Sequence, residues 1–309
     1  MPFFEHDEFR HYMKSFTLAG VAAYTRSLLT ALRHVHAAGV IHRDIKPRNF
    51  MYNAKARKGM LIDFGLAEPA EKWKDRCEAL AKHRDRRALR KKPRAGECIA
   101  AGRNHECPGG TTVGRDGAGG PLTRLIGDAS ERGAGDVIGP AESPREDRLK
   151  LLRKVERGGT TGFRAPEVLW HSRDQRPAVD VWSAGVILLC LLSRRYPVFP
   201  SADNDEMALV QVAAVVGIDE VVEAARRSGW CNIVELPSLQ RRGALERLCA
   251  PLLGGPASDE LENRPRADAL CLLRGMLKVD PAERLSAKDA LAHPFLLEGV
   301  KTEMRLPAC

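Results

Sequence analysis

The sequence predicts a mainly helical fold with a small β component, which is an α+β arrangement. Three observations carry this prediction: helical periodicity over residues 17–38, an apolar run over residues 180–192, and two short apolar segments at residues 50–53 and 60–62. With 309 residues, of which 44% are hydrophobic, the chain is long enough to bury a sizeable core.

Residues 17–38 are expected to form the first long helix. Thr17 can cap its start, and Gly39 can end it. Apolar side chains recur at helical spacing along one face, and they are Val21, Tyr24, Leu28, Leu32 and Val35.

A small hairpin is expected next, because a polar segment with a glycine separates the apolar runs 50–53 and 60–62. Residues 180–192 are apolar on all sides, which is typical of a buried central helix. Three amphipathic patterns predict further helices, whereas residues 228–265 are weakly patterned and are expected to be rich in loops. The three patterns cover residues 207–216, 268–277 and 285–292.

Residues 70–157 differ in composition from the rest of the chain. They contain 21 Lys and Arg against 14 Asp and Glu, and Trp73 is their only aromatic residue. Such a segment buries too little apolar surface to offset the entropy of ordering, so we expect a largely disordered insert. The net charge of the chain is +9, and this segment supplies most of it. That distribution favours a solvated loop, nuclear targeting or an acidic partner over direct nucleic-acid binding.

Four motifs follow one another in a fixed order along the chain. They are His42–Asn49 (HRDIKPRN), Ile62–Gly65 (IDFG), Ala165–Glu167 (APE) and Asp180–Ser183 (DVWS). The ordered set resembles the signature of the protein kinases. The resemblance implies the large, C-terminal lobe of a kinase, with short hairpin strands around the catalytic loop, and phosphoryl transfer from ATP.

The resemblance assigns chemical roles to five side chains. Asp44 would accept or orient the substrate hydroxyl, and Lys46 would reach the transferred phosphate. Thr160 would bridge these two residues, a combination that points to serine and threonine substrates. Asn49 and Asp63 would supply oxygen ligands to Mg²⁺.

Other residues are assigned to nucleotide contact or to support. Pro2, Phe4 and Met51 would meet the adenine, and Pro2–Glu5 would form the hinge. Asp180 is expected to cap the central helix and to hold the catalytic-loop backbone. Arg164 would either favour an acidic neighbour in the substrate or point into the fold. The supporting residues are His42, Arg43, Gly65, Glu167, Asp180 and Arg284, with Glu167 and Arg284 as a buried ion pair.

Longer stretches narrow the resemblance to the cell-division-cycle seven-type kinases. These stretches include RNFMYN, LIDFGLAE and GFRAPEVLW. The resemblance implies a nuclear Ser/Thr kinase of replication initiation, with acidic substrate contexts and a regulatory subunit. The domain assignment is a hinge remnant (1–6), the large lobe (7–69 and 158–296), the insert (70–157) and a C-terminal tail (297–309).

The kinase pattern is incomplete in the chain. Met1 aligns with the gatekeeper position, so the small N-terminal lobe is expected to be absent, along with its glycine-rich loop and strand lysine. ATP would then lose the roof of its pocket, and the chain alone is expected to be inactive. The alternative is a non-catalytic binding module or a pseudokinase fragment.

No export signal or membrane span is found in the sequence, and no membrane partner is expected. The eight cysteines contain no CxxC pair, which indicates reduced thiols in an intracellular protein. A zinc site at Cys98, His105 and Cys107, with or without Cys77, is not favoured because the spacing fits no standard zinc motif. The basic run 82–94 is expected either to serve nuclear localisation or to be a solvated charged stretch.

Overall fold

The structure, a computed structural model, describes residues 4–72, 158–172, 175–200, 202, 204–228, 243–253 and 260–297. Residues 73–157 of the expected insert (70–157) and residues 298–309 of the expected tail (297–309) therefore lie outside the described residues, whereas residues 70–72 are described and helical. The helices are α1 (Phe9–Ser15), α2 (Leu18–Ala37), α3 (Pro166–Leu169), α4 (Ala178–Ser193), α5 (Asp205–Val216), α6 (Ile218–Arg227), α7 (Leu245–Leu253), α8 (Glu260–Met276) and α9 (Ala287–Leu291). The strands are β1 (Val40–Ile41), β2 (Phe50–Asn53), β3 (Lys58–Leu61) and β4 (Glu68–Pro69).

Helix α4 lies at the centre of the core, as its sequence predicts. Every residue from Val179 to Ser193 is buried, and the helix packs against α2, α7 and α8. Because all of its faces are covered, α4 is a rigid platform for side chains at its first turn.

Helix α2 matches the predicted first helix. The Thr17 hydroxyl accepts a hydrogen bond from the Gly20 amide, which satisfies one of the open donors at the helix start. Gly39 follows the helix with a φ of 71°, a left-handed conformation that glycine adopts without strain. The chain then enters β1 directly.

The predicted hairpin forms, but its second strand begins two residues earlier than the apolar run. Asn53 pairs with Lys58 and Phe50 with Leu61, so the register includes Lys58 and Gly59, which carry no apolar signal. Gly59 is required here, since a Cβ at this position would lie 2.1 Å from the Phe50 ring.

The sequence missed several helices. Helix α7 and the start of α8 lie in the region expected to be rich in loops, and that expectation is wrong for them. In α7, Leu245 and Cys249 are buried, so packing stabilises a helix that its interrupted sequence pattern does not reveal. Helices α1 and α6 were not predicted, and residues 229–242 and 254–259 lie outside the described residues.

Among the described residues, no helix combines the length and the apolar character needed to cross a membrane.

Candidate active site

The catalytic-loop motif connects two short antiparallel pairings. It leaves β1, which pairs with β4, and enters β2, which pairs with β3, through a 3₁₀ turn at Pro47–Asn49. The His42 side chain is fully buried beneath the loop, and its Nε2 lies 3.0 Å from the Ile62 carbonyl oxygen. The Ile62 amide donates to the Asn49 carbonyl at 2.9 Å. The carbonyl and the amide of Ile62 are thus both bonded to the catalytic-loop motif, and these bonds hold the next residue, Asp63, beside the loop.

Asp180 holds the backbone of the catalytic loop. Its Oδ2 accepts from the His42 amide and its Oδ1 from the Arg43 amide, both at 2.8 Å. His36 Nε2, from the end of α2, lies 2.9 Å from the same Oδ2. These bonds support Arg43 in a left-handed conformation, with a φ of 67°, directly before Asp44.

Asp180 was also expected to cap the central helix, and that expectation is wrong. Asp180 lies inside the first turn of α4, and the N-cap position is Pro177, which has no side-chain capping bond. The carboxylate instead accepts hydrogen bonds from the amides of the catalytic loop.

Asp44 is surrounded by donors. Its Oδ2 accepts from Lys46 Nζ at 2.6 Å and from Asn49 Nδ2 at 3.0 Å. Its Oδ1 accepts from the Thr160 hydroxyl at 2.7 Å and from the Thr160 amide at 3.0 Å. Lys46 Nζ also donates to Thr160 Oγ1 at 2.9 Å, so Thr160 bridges Asp44 and Lys46.

These contacts determine the protonation of Asp44. Burial alone would raise the pKa of the carboxyl group, but hydrogen bonds from Lys46, Thr160 and Asn49, together with the charge of Lys46, hold it below its usual value. Asp44 is therefore an ionised hydrogen-bond acceptor at neutral pH, with its side chain only 8% exposed.

Asn49 and Asp63 present oxygen atoms at the edge of the site. Both side-chain hydrogen bonds of Asn49 among the described residues use Nδ2, one of them to the Asp44 carbonyl at 2.9 Å. Asp63 is exposed, has a φ of 62°, and accepts from the Gly65 amide at 3.3 Å. An amide oxygen and a carboxylate are the donors that Mg²⁺ prefers, so the residue types fit that ion.

The residues expected to contact adenine are only partly described. Pro2 lies outside the described residues. Phe4 lines a groove of about 740 Å³ together with α2, β3 and the exposed Phe64 ring. Met51 is half-buried in β2 opposite Met60 and does not line that groove.

Arg43 makes a second set of contacts that sequence reasoning missed. Its guanidinium lies 3.1 Å from the Glu68 carboxylate, and its Nη2 donates to Gln175 Oε1 at 3.2 Å. The only sequence signal is that Glu68 closely follows the Asp63 motif. The pairing of Ile41 with Glu68, which brings them together, spans two residues in each strand.

The structure settles the orientation of Arg164. Its Nε donates to the Gly159 carbonyl at 3.0 Å and its Nη1 to Asp205 Oδ1 at 3.2 Å, with 19% of the side chain exposed. The guanidinium therefore joins the loop to the first turn of α5.

Glu167 and Arg284 form the expected buried ion pair. Arg284 Nη1 and Nη2 donate to the two carboxylate oxygens at 2.6 and 2.9 Å. The side chains are 1% and 0% exposed, so the pair fixes α3 to the turn before α9 in a water-free environment.

The remaining predicted features lie outside the described residues: the set Cys77, Cys98, His105 and Cys107, and the basic run 82–94. In the described part of the chain, no group of three or more His, Cys, Asp or Glu side chains is arranged to hold a metal ion.

Comparison with known families now identifies the arrangement. A family model described as the protein kinase domain matches residues 1–84 and 144–296. The chain is 34% identical to the probable cell division control protein 7 homolog 2 of Encephalitozoon cuniculi over 95% of its own length and 70% of that protein. It is 32% identical to the cell cycle serine/threonine-protein kinase hsk1 of Schizosaccharomyces pombe. That match covers 96% of the chain, which spans about half (52%) of hsk1.

Proposed function

Because the chain belongs to the protein kinase family, we propose that it carries the catalytic centre for transfer of the γ-phosphoryl group of ATP to serine or threonine hydroxyls of proteins. The observation that carries this proposal is the ionised Asp44, held by Lys46, Asn49 and Thr160. A carboxylate held in this way can orient a hydroxyl group, and the adjacent ammonium can balance charge on a phosphoryl oxygen.

The lowered pKa of Asp44 favours an orienting role over that of a strong base. In a loose phosphoryl-transfer transition state the nucleophile loses its proton late, so positioning contributes more than basicity. Asp44 would accept the hydrogen bond of the substrate hydroxyl, and Lys46 would lie next to the group in transfer. Thr160 keeps the two side chains at fixed separation, with 2.7 Å to Asp44 and 2.9 Å to Lys46.

Asn49 and Asp63 would hold Mg²⁺ through the Asn49 amide oxygen and the Asp63 carboxylate. The bound ion would neutralise charge on the ATP phosphates. The Asn49 side chain is fixed for this role by its two bonds to Asp44, since they orient the amide plane. Pro2, Phe4 and Met51 remain the proposed adenine contacts.

The cell-cycle setting of this kinase is supported by the names of its relatives. Two of them are a cell cycle serine/threonine-protein kinase and a cell division control protein 7 homolog. On this basis we extend the proposal to a nuclear enzyme of replication initiation that works with a regulatory subunit. An acidic substrate context is part of the proposal on the resemblance alone, since the Arg164 guanidinium is already paired with Asp205.

We further propose that the chain alone turns over little or no substrate. Residues 1–309 contain no GxGxxG loop followed by a strand lysine. Positioning and electrostatic stabilisation supply most of the catalysis in this chemistry, and that loop and lysine supply part of both. The same feature supports the alternative, a non-catalytic kinase-lobe module or pseudokinase fragment, which would bind partners without transferring phosphate.

A chimaera distinguishes a catalytic kinase lobe from a non-catalytic binding module. The small lobe of a catalytically active protein kinase is fused ahead of Met1, and transfer from Mg²⁺-ATP to a serine peptide with acidic neighbours is measured. We expect transfer that falls by about 10²–10⁴-fold in the Asp44→Asn variant, since a positioned acid–base group contributes that much. The matched control Asp219→Asn, at an exposed site on α6, should leave the rate unchanged.

Two outcomes contradict the proposal. A chimaera that binds Mg²⁺-ATP and transfers no phosphate supports the non-catalytic alternative. Robust turnover by the unfused chain would show that the inactivity proposed for it is wrong.

A further inference from the structure

Four cationic side chains lie on the two segments that surround the candidate active site, the catalytic loop 42–49 and the segment 158–164. Three of them contact carboxylates of the chain: Arg43 lies 3.1 Å from Glu68, Lys46 lies 2.6 Å from Asp44, and Arg164 lies 3.2 Å from Asp205. The fourth, Arg48, is exposed, and its side chain forms no ion pair or hydrogen bond with another described residue. Its charge is therefore available to a ligand.

The turn that carries Arg48 is fixed on both sides. Its neighbours Pro47 and Asn49 are buried, and the Asn49 amide donates to the Lys46 carbonyl at 3.0 Å. The Phe50 amide donates to the Pro47 carbonyl. Arg48 is thus an exposed side chain on an ordered backbone, which reduces the conformational entropy lost when it binds a partner.

Arg48 is near the position expected for the substrate hydroxyl. Consecutive Cα atoms are about 3.8 Å apart, so the Arg48 Cα lies within about 7.6 Å of the Lys46 Cα. The next residue, Asn49, donates to Asp44 Oδ2 at 3.0 Å. An extended peptide advances about 3.3 Å per residue. A substrate side chain two or three residues from the phosphoacceptor serine would therefore come within reach of the Arg48 guanidinium.

The two carboxylate oxygens of Asp44 distinguish two sides of the site. Oδ1 accepts from the Thr160 hydroxyl and amide, whereas Oδ2 accepts from Asn49. Arg164 belongs to the segment on the Thr160 side, where Asp205 already neutralises it. Arg48 directly precedes Asn49 in the chain, so it carries an unneutralised positive charge on the other side.

We propose that Arg48 is a specificity-determining residue that binds an acidic substrate side chain on the Asn49 side of the phosphoacceptor. The planar guanidinium can donate two parallel hydrogen bonds to a carboxylate, and at Arg48 no internal partner has to be displaced first. A substrate carboxylate at Arg164 would compete with Asp205. This inference deepens the proposed function and rests on it, since it names the residue through which the same site recognises acidic substrates.

Peptide binding to the unfused full chain tests the inference without nucleotide or turnover. Three fluorescently labelled serine peptides serve as probes: one has two glutamates before the serine, one has two glutamates after it, and one has alanines at all four positions. Binding is measured by fluorescence anisotropy at low ionic strength, where charge screening is weak. We expect one of the glutamate peptides to bind about fivefold more tightly than the alanine peptide, the strength of a good exposed ion pair.

Variants of the chain identify the cation responsible. Arg48→Gln should abolish the difference between the glutamate and alanine peptides, whereas the matched control Arg33→Gln, at an exposed position of α2, should retain it. Arg48→Glu should bind the peptide with lysines in place of the preferred glutamates about fivefold more tightly than the wild type does. Loss of folding could not produce such a gain.

Three binding results would overturn the inference. The wild type could bind the glutamate and alanine peptides equally or show no saturable binding, or Arg48→Gln could keep the full preference for glutamate. The last result would place the recognition of acidic peptides on other basic residues of the chain.

Kinetics of the chimaera described above separate substrate recognition from a structural role of Arg48. With Arg48→Gln we expect KM for the preferred glutamate peptide to rise about fivefold, with kcat and the KM for the alanine peptide unchanged within twofold. An equal loss of kcat for both peptides would contradict a role in specificity. If the wild-type chimaera transfers no phosphate, the proposed function fails, whereas the binding comparison still decides whether Arg48 binds acidic peptides.

Discussion

The buried pair Glu167–Arg284 allows a sharp test of how α3 is fixed to the rest of the domain. The perturbation is Glu167→Gln, which keeps the side-chain shape and removes the charge. Arg284 would then retain its bonds to the carbonyl oxygens of Ala178 and Val279 and its position over the Trp182 ring, 5.1 Å from the centroid. It would lose Glu167, its one carboxylate partner among the described residues, and both side chains are essentially inaccessible to water.

The size of the effect follows from this burial. Removal of one partner of a buried ion pair leaves an uncompensated charge and costs about 3–5 kcal/mol. The glutamine oxygen can still accept one of the two hydrogen bonds, and the neighbouring carbonyl oxygens and the Trp182 ring remain. We therefore take the lower end, about 3 kcal/mol, which lowers the unfolding midpoint by roughly 6–12 °C in a domain of this size.

The assay is urea and thermal unfolding, followed by tryptophan fluorescence, since Trp182 lies against the Arg284 guanidinium. The control is Glu223→Gln, which removes one carboxylate of a surface pair with Arg227, with side chains 55% and 51% exposed, while Arg227 keeps Asp280 and Glu283. Water can solvate the remaining charge there, so its midpoint should not move. If Glu167→Gln shifts the midpoint no more than Glu223→Gln does, the reasoning from burial is refuted.

Three further predictions concern the loop and the hairpin. Asp180→Asn should speed amide exchange of the catalytic loop and lower kcat of the chimaera about tenfold or more, because hydrogen bonds to a charged acceptor are worth about 1.5–3 kcal/mol each; unchanged exchange would contradict this. Gly59→Ala should destabilise the protein by about 1–3 kcal/mol in urea unfolding, because the added Cβ forces the Phe50 ring to move; a variant as stable as the wild type would show that the hairpin relaxes freely. The lowered pKa of Asp44 in the folded state gives stability that is complete above the unfolded value of about 3.9 and is lost as pH falls through the folded value. Urea midpoints of wild type and Asp44→Asn should therefore converge below about pH 4, and a constant difference would refute this origin.

The local part of the site was predictable because it is continuous in sequence. Asp44, Lys46 and Asn49 lie within six residues of a single loop, and the helix before it and the hairpin after it have clear patterns. Thr160 and Asp180 are distant in the chain, and no periodicity connects them to Asp44. Only the resemblance to a known family placed them, and the structure then showed which atoms meet.

The unpredicted features depend on contacts that leave little trace in sequence. Glu68 reaches Arg43 through a two-residue strand pairing, far shorter than the alternation needed to recognise a strand. Helix α7 forms despite Pro251 because its apolar side chains pack against α4. Tertiary packing overrides local propensity in such cases.

The anchoring of the catalytic loop explains how a strained conformation can persist in this fold. A non-glycine residue with positive φ costs of order 1–3 kcal/mol, and Arg43 and Asp63 both have one. Asp180 holds the Arg43 amide from a helix that is buried on every side, and Glu68 holds the Arg43 side chain from β4. The strained conformation of Arg43 is thus stabilised by contacts from two separate elements, α4 and β4. Loss of either anchor should loosen the loop while the helical core remains folded.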